Sequence, residues 1–362
     1  MRDVVDNLAE FKARGACTDA ERRAAVWLHD DLRERGYGPW VETVWVRPQW
    51  AWSLVWHAGL GVAVSLAATA VPVVAAGALL LVLSWLLGGL SRLFYRRATQ
   101  IVVVDPPGPG IKLWLVAHTD ASRAGAGFRV RRWFRGVHPT WALVALLLSV
   151  VVVGALRGLG LEGRGIGAVQ LIPTVGLLAV AAVALDCLLS DYTAGASDAA
   201  GVAVALALHE ELTQRPPARF SVGLVLAGAG EAWPYGFRTW LRSEQRSSED
   251  TVLVELGPCG SGTVAWSARH PQLVTACGPG GRRSVHRPTT MARSLGSLYV
   301  RTVGAAGVPE RVRTEHDTPA AVEDAAMEAV YDFVIDSVDR LDQALTTSSA
   351  TSAGVSATSS HV

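Results

Sequence analysis

The sequence predicts an α/β protein with a mixed, mostly parallel sheet flanked by helices, and two transmembrane helical hairpins interrupt this domain. Strand-like and helix-like segments alternate along the polar parts of the chain, which is typical of a sheet covered by helices on both faces. Long apolar runs separate these parts. Of the 362 residues, 50% are hydrophobic and only 18% are charged, a composition that indicates partial residence in a membrane.

Two regions, residues 50–92 and 140–190, are each long and apolar enough to form a hairpin that crosses a membrane twice. One spanning helix needs about 20 apolar residues, so each region holds two spans. The predicted spans are 52–71 and 73–90 in the first hairpin, and 141–156 and 166–189 in the second. A buried core helix is the alternative for 141–156, the shortest run.

Arginines beside the apolar regions predict their orientation. Arg92, Arg96 and Arg97 follow the first hairpin, and Arg131 and Arg132 precede the second. The positive-inside rule places this side in the cytoplasm. We therefore predict a multi-pass protein of the plasma membrane whose soluble domain faces the cytoplasm and whose partner is the lipid bilayer. The net charge of +1 gives no reason to expect nucleic-acid binding, and four scattered cysteines without a CxxC motif favour a reducing compartment.

The polar domain is predicted in three pieces, 1–49, 98–135 and 191–345, which the hairpins separate. Thr18 suits an N-cap, with Glu21 three residues later as in a capping box. Helices are predicted over 19–35, 198–212, 235–246 and 319–345, and strands over 41–46, 100–104, 112–117, 221–227 and 251–256. The tail, 346–362, consists mostly of Ser, Thr, Ala and Gly and is predicted to be disordered because it cannot bury a core.

Four short motifs carry the polar side chains that suit a metal site. They are His118-Thr119-Asp120 and Gly228-Ala229-Gly230-Glu231 after two strands, Gly195-Ala196-Ser197-Asp198 before a helix, and Asp317-Thr318-Pro319 near the C-terminus. Side chains that follow parallel strands meet at one rim of the sheet, so these motifs predict a site there. By contrast, His209-Glu210-Glu211 lacks the second histidine of a HExxH motif and is interpreted as a helix surface.

The order of these motifs resembles the co-catalytic zinc aminopeptidase family, which includes aminopeptidase S, glutamate carboxypeptidase II and the transferrin receptor ectodomain. The resemblance covers residues 1–50 and 98–345 and excludes both hairpins. It implies a zinc-aminopeptidase-like fold and the hydrolysis of peptides at one or two zinc ions.

The resemblance assigns roles to the first two motifs. It implies that His118 binds zinc and that Asp120 orients it, because a carboxylate on the far ring nitrogen fixes the tautomer of the histidine. It implies that Asp198 bridges the two metals. However, Gly201 comes three residues after Asp198 where the family has four, so either the loop is one residue short or Ser197 occupies the ligand position. An N-cap role for Asp198 is therefore the alternative.

The later motifs depart from the family pattern. The family has two adjacent glutamates, a general base and a metal ligand, whereas this chain has Glu231 alone. Either Glu231 is the ligand and Gly230 has replaced the base, which we favour, or Glu231 is the base and Ala232 has replaced the ligand. A missing general base typically lowers the rate about 10²–10⁴-fold.

The last two ligands are also altered. Glu255 is the candidate for the fourth ligand, and a second alignment places Gly257 there. Arg313 stands where the family has its final histidine, and arginine cannot serve as an ordinary zinc ligand because it keeps its proton. His316 is the nearby substitute. The resulting hypotheses are a membrane-anchored zinc metallopeptidase that acts on peptides, an inactive pseudopeptidase that serves as a binding or scaffold module, and a transport component.

Overall fold

A computed structural model of the chain describes residues 1–48, 50–71, 73, 75, 77–80, 82, 94–125, 139–161, 163–231, 235–243, 251–283 and 296–358. The chain divides into two compact units. The first unit consists of Met1–Val46, Arg97–Ser122 and Tyr192–Val362, and the second consists of Arg47–Arg96 and Arg123–Asp191. The second unit holds the apolar runs, so this division follows the one that the sequence predicts.

An eight-stranded sheet forms the centre of the first unit. Its strands are β1 (Trp40–Val46), β2 (Arg97–Val104), β3 (Ile111–His118), β4 (Phe220–Ala227), β5 (Thr251–Leu256), β6 (Thr263–Ala268), β7 (Arg282–Arg283) and β8 (Gly296–Val303). Their order across the sheet is β1-β2-β4-β3-β5-β8-β6-β7. The four central strands β4, β3, β5 and β8 are parallel, whereas β2 is antiparallel to β1 and β4, and β6 is antiparallel to β8. The mixed, mostly parallel sheet is therefore confirmed.

Nine α-helices lie in the described residues. They are α1 (Arg2–Glu10), α2 (Asp19–Glu34), α3 (Trp50–Ala67), α4 (Pro139–Gly158), α5 (Arg164–Leu189), α6 (Ala196–Gln214), α7 (Tyr235–Ser243), α8 (Pro271–Cys277) and α9 (Asp324–Thr358), and a short 3₁₀ helix spans Pro319–Ala321. Helices α3, α4 and α5 belong to the second unit and the others to the first.

Helices pack on both faces of the sheet, as the alternating pattern predicts. On one face, apolar side chains of α1, α2, α6 and α9 pack against the strands in one continuous core. On the other face, Trp114 of β3 contacts Trp240 of α7 edge to face, with 5.2 Å between ring centroids. Trp240 is fully buried, and Phe237 stacks against it. Aromatic side chains of this size dominate the burial of apolar area in a core.

The start of α2 departs slightly from the predicted capping box. Thr18 is the N-cap, and its hydroxyl accepts a hydrogen bond from the backbone N–H of Glu21 at 3.2 Å. The Glu21 side chain, however, accepts from the N–H of Cys17 at 2.8 Å, one residue before the N-cap. The carboxylate of Glu21 thus turns into the protein, where it is almost fully buried.

Among the elements that differ from the prediction are strand β8, which was missed, and helix α9, which is longer than predicted. Strand β8 was missed because it carries the buried polar residues Ser297, Arg301 and Thr302, which break the apolar pattern of an interior strand. Helix α9 continues to Thr358, over a segment that we predicted to be disordered. The hydroxyls of Thr346 and Thr347 donate to backbone carbonyls four residues earlier, so they are compatible with a helix that has no apolar face.

The second unit contains three helices that are long and apolar enough to cross a membrane. At most a third of the residues in each apolar segment are buried, and large apolar side chains such as Ile172 are exposed. Helices α3 and α5 share a buried polar contact between the hydroxyls of Ser65 and Thr174 at 2.7 Å. The return span predicted at 73–90 and residues 126–135 fall largely or wholly outside the described residues.

Candidate functional site

His118 lies at the end of β3, at the rim where the central parallel strands end. Its Nε2 atom is 3.5 Å from Oε1 of Glu255, which belongs to the neighbouring strand β5 and is 2% exposed. Burial lowers the pKa of His118, but the hydrogen bond and charge of Glu255 and the charges of Asp120 and Asp198 outweigh it, so the pKa is raised. The imidazole is therefore held in an acidic environment.

Asp120 binds the loop that follows β4. Its two carboxylate oxygens accept hydrogen bonds from the backbone N–H groups of Gly230 at 2.6 Å and Glu231 at 2.9 Å. The Nδ1 atom of His118 is buried and has no hydrogen-bond partner in the described part of the chain. Asp120 thus positions the loop, and the expected hydrogen bond from the His118 ring to the Asp120 carboxylate is not formed.

Glu21 is a site residue that the sequence analysis identified only as part of a helix cap. Its Oε1 atom accepts from the N–H of Ala229 at 2.7 Å, and its Oε2 atom accepts from the hydroxyl of Thr99 at 2.9 Å. Burial and the charge of Asp120 raise the pKa of Glu21, and the hydrogen bonds oppose that rise. Glu21 and Asp120 together bind three successive N–H groups of the loop 229–231.

Gly230 lies against the imidazole of His118. A Cβ atom at Gly230 would lie 2.6 Å from Cγ of His118, which is closer than side-chain atoms approach one another. A glutamate at position 230 would therefore displace His118. Glu231 is half-buried, with its backbone fixed by Asp120, and Ala232 falls outside the described residues.

Asp198 is in the first turn of α6 and is not the N-cap. The N-cap is Gly195, in a left-handed conformation with φ of 62°, so the helix begins earlier than predicted and the N-cap alternative for Asp198 is wrong. Burial and the charges of Asp317 and Asp120 raise the pKa of Asp198 to about 7, while Arg313 and His118 oppose the rise. Asp198 therefore shares the acidic environment of His118.

Asp317, from the last motif, holds the start of α6. Its Oδ1 atom accepts from the backbone N–H and the hydroxyl of Ser197, at 2.9 and 2.8 Å. Asp317 is 2% exposed, and its Oδ2 atom has no hydrogen-bond partner among the described residues. Asp317 thus fixes the start of α6 through these hydrogen bonds, a structural role that the sequence did not indicate.

His316 does not join this group. Its side chain is 75% exposed and its Nε2 atom is 3.8 Å from Glu315. It lines an open cavity of about 390 Å³ with Arg311 and the start of the 3₁₀ helix. Arg313 is half-buried, in a left-handed conformation with φ of 63°, and its charge acts on Asp198. Of the two candidates for a replacement ligand, Glu255 lies beside His118 and His316 lies on the surface.

The predicted ligands do not fit a two-zinc site. In the described part of the chain, no group of three or more His, Cys, Asp or Glu residues is arranged to hold a metal ion. Such a site needs nearly all its ligands in order to hold two ions about 3.5–4 Å apart. His118 and Glu255 form the close pair in this arrangement, while both oxygens of Asp120 and one oxygen of Asp317 are bonded to protein groups.

Arg14 is the second residue that the sequence analysis missed. Its side chain is 1% exposed, and its guanidinium donates to the backbone carbonyls of Leu8, Thr119 and Gly195. Burial lowers the pKa of Arg14 to about 10, and the charges of four acidic residues oppose that effect, so Arg14 is cationic at neutral pH. These residues, called the acidic cluster below, are Glu21, Asp120, Asp198 and Asp317. No local pattern distinguishes Arg14 from a surface arginine.

The fold is that of zinc-dependent exopeptidases and glutaminyl cyclases. A glutaminyl cyclase from Bacteroides thetaiotaomicron, solved bound to N-acetylhistamine, superposes with a TM-score of 0.55 at 12% identity, over 93% of this chain and 96% of that chain. A Zn-dependent exopeptidase from Parabacteroides distasonis gives 0.54 at 10% identity, over 93% and 96%. A leucine aminopeptidase precursor from Bacteroides thetaiotaomicron gives 0.53 at 11%, over 93% and 95%.

Neither a family model nor a curated protein matches the sequence of the chain. The likeness is therefore one of fold. It confirms the peptidase-like architecture that the motifs predict, while activity depends on the site itself.

Proposed function

We propose that this protein is a membrane-anchored member of the peptidase fold that serves as a binding or scaffold module and does not hydrolyse peptides. One observation carries the proposal: the predicted zinc ligands are not gathered around one point in the described residues, and the buried guanidinium of Arg14 donates to the carbonyl of Thr119, between His118 and Asp120. The protein thus places a positive charge of its own near the carboxylates, whose charge a metal would otherwise compensate.

The loop after β4 supports the same proposal. A general base contributes about 10²–10⁴-fold to hydrolysis. At position 230, the favoured place for the lost base, the contact with His118 leaves no room for a side chain. The neighbouring N–H groups are bound by Asp120 and Glu21, so the loop has a fixed structural role.

A mononuclear hydrolase is the second candidate. It is favoured by the 3.5 Å contact between His118 and Glu255 and by the charge of Asp198, which acts on the same histidine. In this case His118, Glu255 and Asp198 would hold one zinc ion, which would supply a Lewis acid, and Glu231 would be the candidate general base.

Hydrolysis assays separate the two candidates. Purified full-length protein in detergent is incubated with unblocked peptides, aminoacyl anilides and a peptide with N-terminal glutamine, with and without added Zn²⁺. We expect the same background rate for wild type, His118→Ala, Glu255→Gln and the exposed control His316→Ala. Zinc-stimulated turnover that is lost in the first two variants and kept in the control would refute the proposed function and support the mononuclear hydrolase.

We further propose that α3 and the return span predicted at 73–90 cross the membrane as one hairpin, that α4 and α5 cross it as a second, and that the first unit faces the cytoplasm. Exposed apolar side chains on all three helices support the insertion. The arginines beside the apolar regions support the orientation.

A further inference from the structure

The guanidinium of Arg14 connects two of the motifs that define the site. Its Nε atom donates to the carbonyl of Thr119 at 2.5 Å, between His118 and Asp120, and its Nη2 atom donates to the carbonyl of Gly195 at 3.4 Å. Gly195 is the N-cap of α6, three residues before Asp198. The planar fork of an arginine holds several acceptors in fixed relative positions, so Arg14 fixes the loop after β3 relative to the start of α6.

The segment around Arg14 has an unusual backbone. Ala13 and Cys17 are left-handed, with φ of 57° and 60°, which is uncommon for residues other than glycine. Any side chain at Gly15 would overlap the ring of Tyr192. The carbonyl of Arg14 itself accepts from the N–H of Ala121 at 2.6 Å. Backbone conformations of this kind persist where the surrounding structure holds them, and here they direct Arg14 into the protein.

Charge explains why a buried arginine is tolerated at this position. A buried guanidinium is costly unless opposite charges compensate it, and the same holds for buried carboxylates. Glu21, Asp120 and Asp317 are at most 2% exposed. Burial raises the pKa of Asp317, and the hydrogen bonds from Ser197 and the positive charge of Arg14 oppose the rise. Arg14 and Asp317 therefore stabilise each other's charged forms.

We propose that Arg14 is the built-in cation of this site: its buried guanidinium joins the two motifs that carry Asp120 and Asp198, and it supplies positive charge to the acidic cluster where a catalytic member of the fold would hold a metal ion. This inference rests on the proposed function, because a site that needs no metal requires another source of positive charge. It makes Arg14 a positioning residue. The folded first unit then needs no divalent cation, and chelators leave its stability unchanged.

A double-mutant cycle tests whether Arg14 acts through its charge. Arg14→Gln, Asp317→Asn and the double variant are compared by thermal unfolding of the full-length protein in detergent, followed by tryptophan fluorescence. Removing a buried cation that acts on buried carboxylates and binds three backbone carbonyls is expected to lower Tm by about 10 °C in Arg14→Gln. Asp317→Asn keeps an oxygen for Ser197 and removes the uncompensated charge, so the double variant should recover at least half of that loss.

A purely structural role for Arg14 gives a different result. In that case the two losses add, and the double variant is no more stable than Arg14→Gln, which would overturn the inference. Arg23→Gln is the matched control, because Arg23 is an exposed arginine of α2 paired with Asp19, and its loss should barely change Tm. If Arg14→Gln yields no folded protein, recovery of a monodisperse double variant supports the inference, and failure of both overturns it.

The same variants distinguish this inference from the proposed function. Wild-type protein that hydrolyses peptides with zinc, together with recovery in the double variant, would refute the proposed function and the claim that Arg14 takes the place of a metal, and would leave only the charge coupling between Arg14 and Asp317. Protein that is inactive and shows no recovery would refute the role of Arg14 alone.

Discussion

At the scale of single residues, buried charge is the property that defines this site. His118, Asp120, Asp198 and Glu255 were predicted from short motifs, and the structure brings His118 beside Glu255, with the charges of Asp120 and Asp198 acting on the histidine. His316 was also predicted, but it lies on the surface. Short motifs identify such residues because they follow parallel strands, and the ends of parallel strands lie at one rim of the sheet.

Arg14, Glu21 and Asp317 were not predicted as charged partners of the site for a different reason. Each reaches the site from an element that is distant in the sequence, and its burial is fixed only by tertiary packing. A capping glutamate or an arginine in a polar segment between two helices has the same local pattern whether its side chain is exposed or buried. Charge compensation of this kind can therefore be recognised only in the folded structure.

His209 provides a pH-dependent prediction at this scale. We interpreted it as part of a helix surface, but it is 2% exposed, packs edge to face on Tyr37 at 4.7 Å, and has a buried Nδ1 atom without a hydrogen-bond partner in the described residues. That interpretation fits the exposed Glu210 but is wrong for His209, which lies on a buried side of α6. Burial lowers the pKa of His209 from 6.5 to about 4.

The lowered pKa means that the unfolded chain binds more protons than the folded chain between pH 6.5 and 4. The free energy of unfolding therefore falls as the pH drops through this window, by roughly 3 kcal/mol in total for this one group. His209→Phe keeps a ring against Tyr37 and removes the titration. We expect its unfolding free energy to fall less than that of wild type between pH 7 and 5, measured by denaturant titration. Equal pH dependence in wild type, His209→Phe and the exposed control His316→Phe would contradict this prediction.

At the scale of elements, the strands β3, β4 and β5 and the helix α2 were predicted within one or two residues. Each has a strong apolar pattern or a clear cap. Strand β8 was missed because it has polar residues in buried positions, Arg301 among them. The apolar helices α4 and α5 were predicted almost to their ends because hydropathy over about 20 residues is the strongest local pattern in a sequence.

The apolar helices yield a prediction that depends on how deep a substituted residue would lie in the bilayer. Val175 is near the middle of α5 and 54% exposed, whereas Leu189 is its last residue and 77% exposed. If α5 faces lipid, Val175→Arg places a charge at the bilayer centre, at a cost of about 3 kcal/mol or more, whereas an arginine at position 189 can extend to the interface.

Membrane pelleting after alkaline carbonate extraction, followed by size-exclusion chromatography in detergent, measures the effect of these substitutions. We expect wild type and Leu189→Arg to remain in the pellet and elute as a single peak. Val175→Arg should lose most of its inserted, folded fraction. Equal behaviour of the two variants, or release of the wild type by carbonate, would contradict a membrane-spanning α5.

At the scale of the whole molecule, the chain combines a unit with the peptidase fold and a unit of apolar helices inserted at two points along the sequence. The fold was predicted because the order of motifs is a property of the whole chain. Whether the site still binds metal depends on a few side chains whose arrangement the order does not fix. We propose a site that keeps its position at the rim of the sheet and in which Arg14, rather than a metal ion, compensates the charge of the carboxylates.

The zinc content of the purified protein tests most directly whether the site binds a metal ion. Full-length protein is purified in detergent, incubated with Zn²⁺, desalted, and analysed for metal by elemental analysis, together with His118→Ala. We expect far less than one zinc ion per chain and no difference between the two proteins. One or two zinc ions per chain, lost in His118→Ala, would contradict this expectation and show that the predicted ligands assemble a metal site after all.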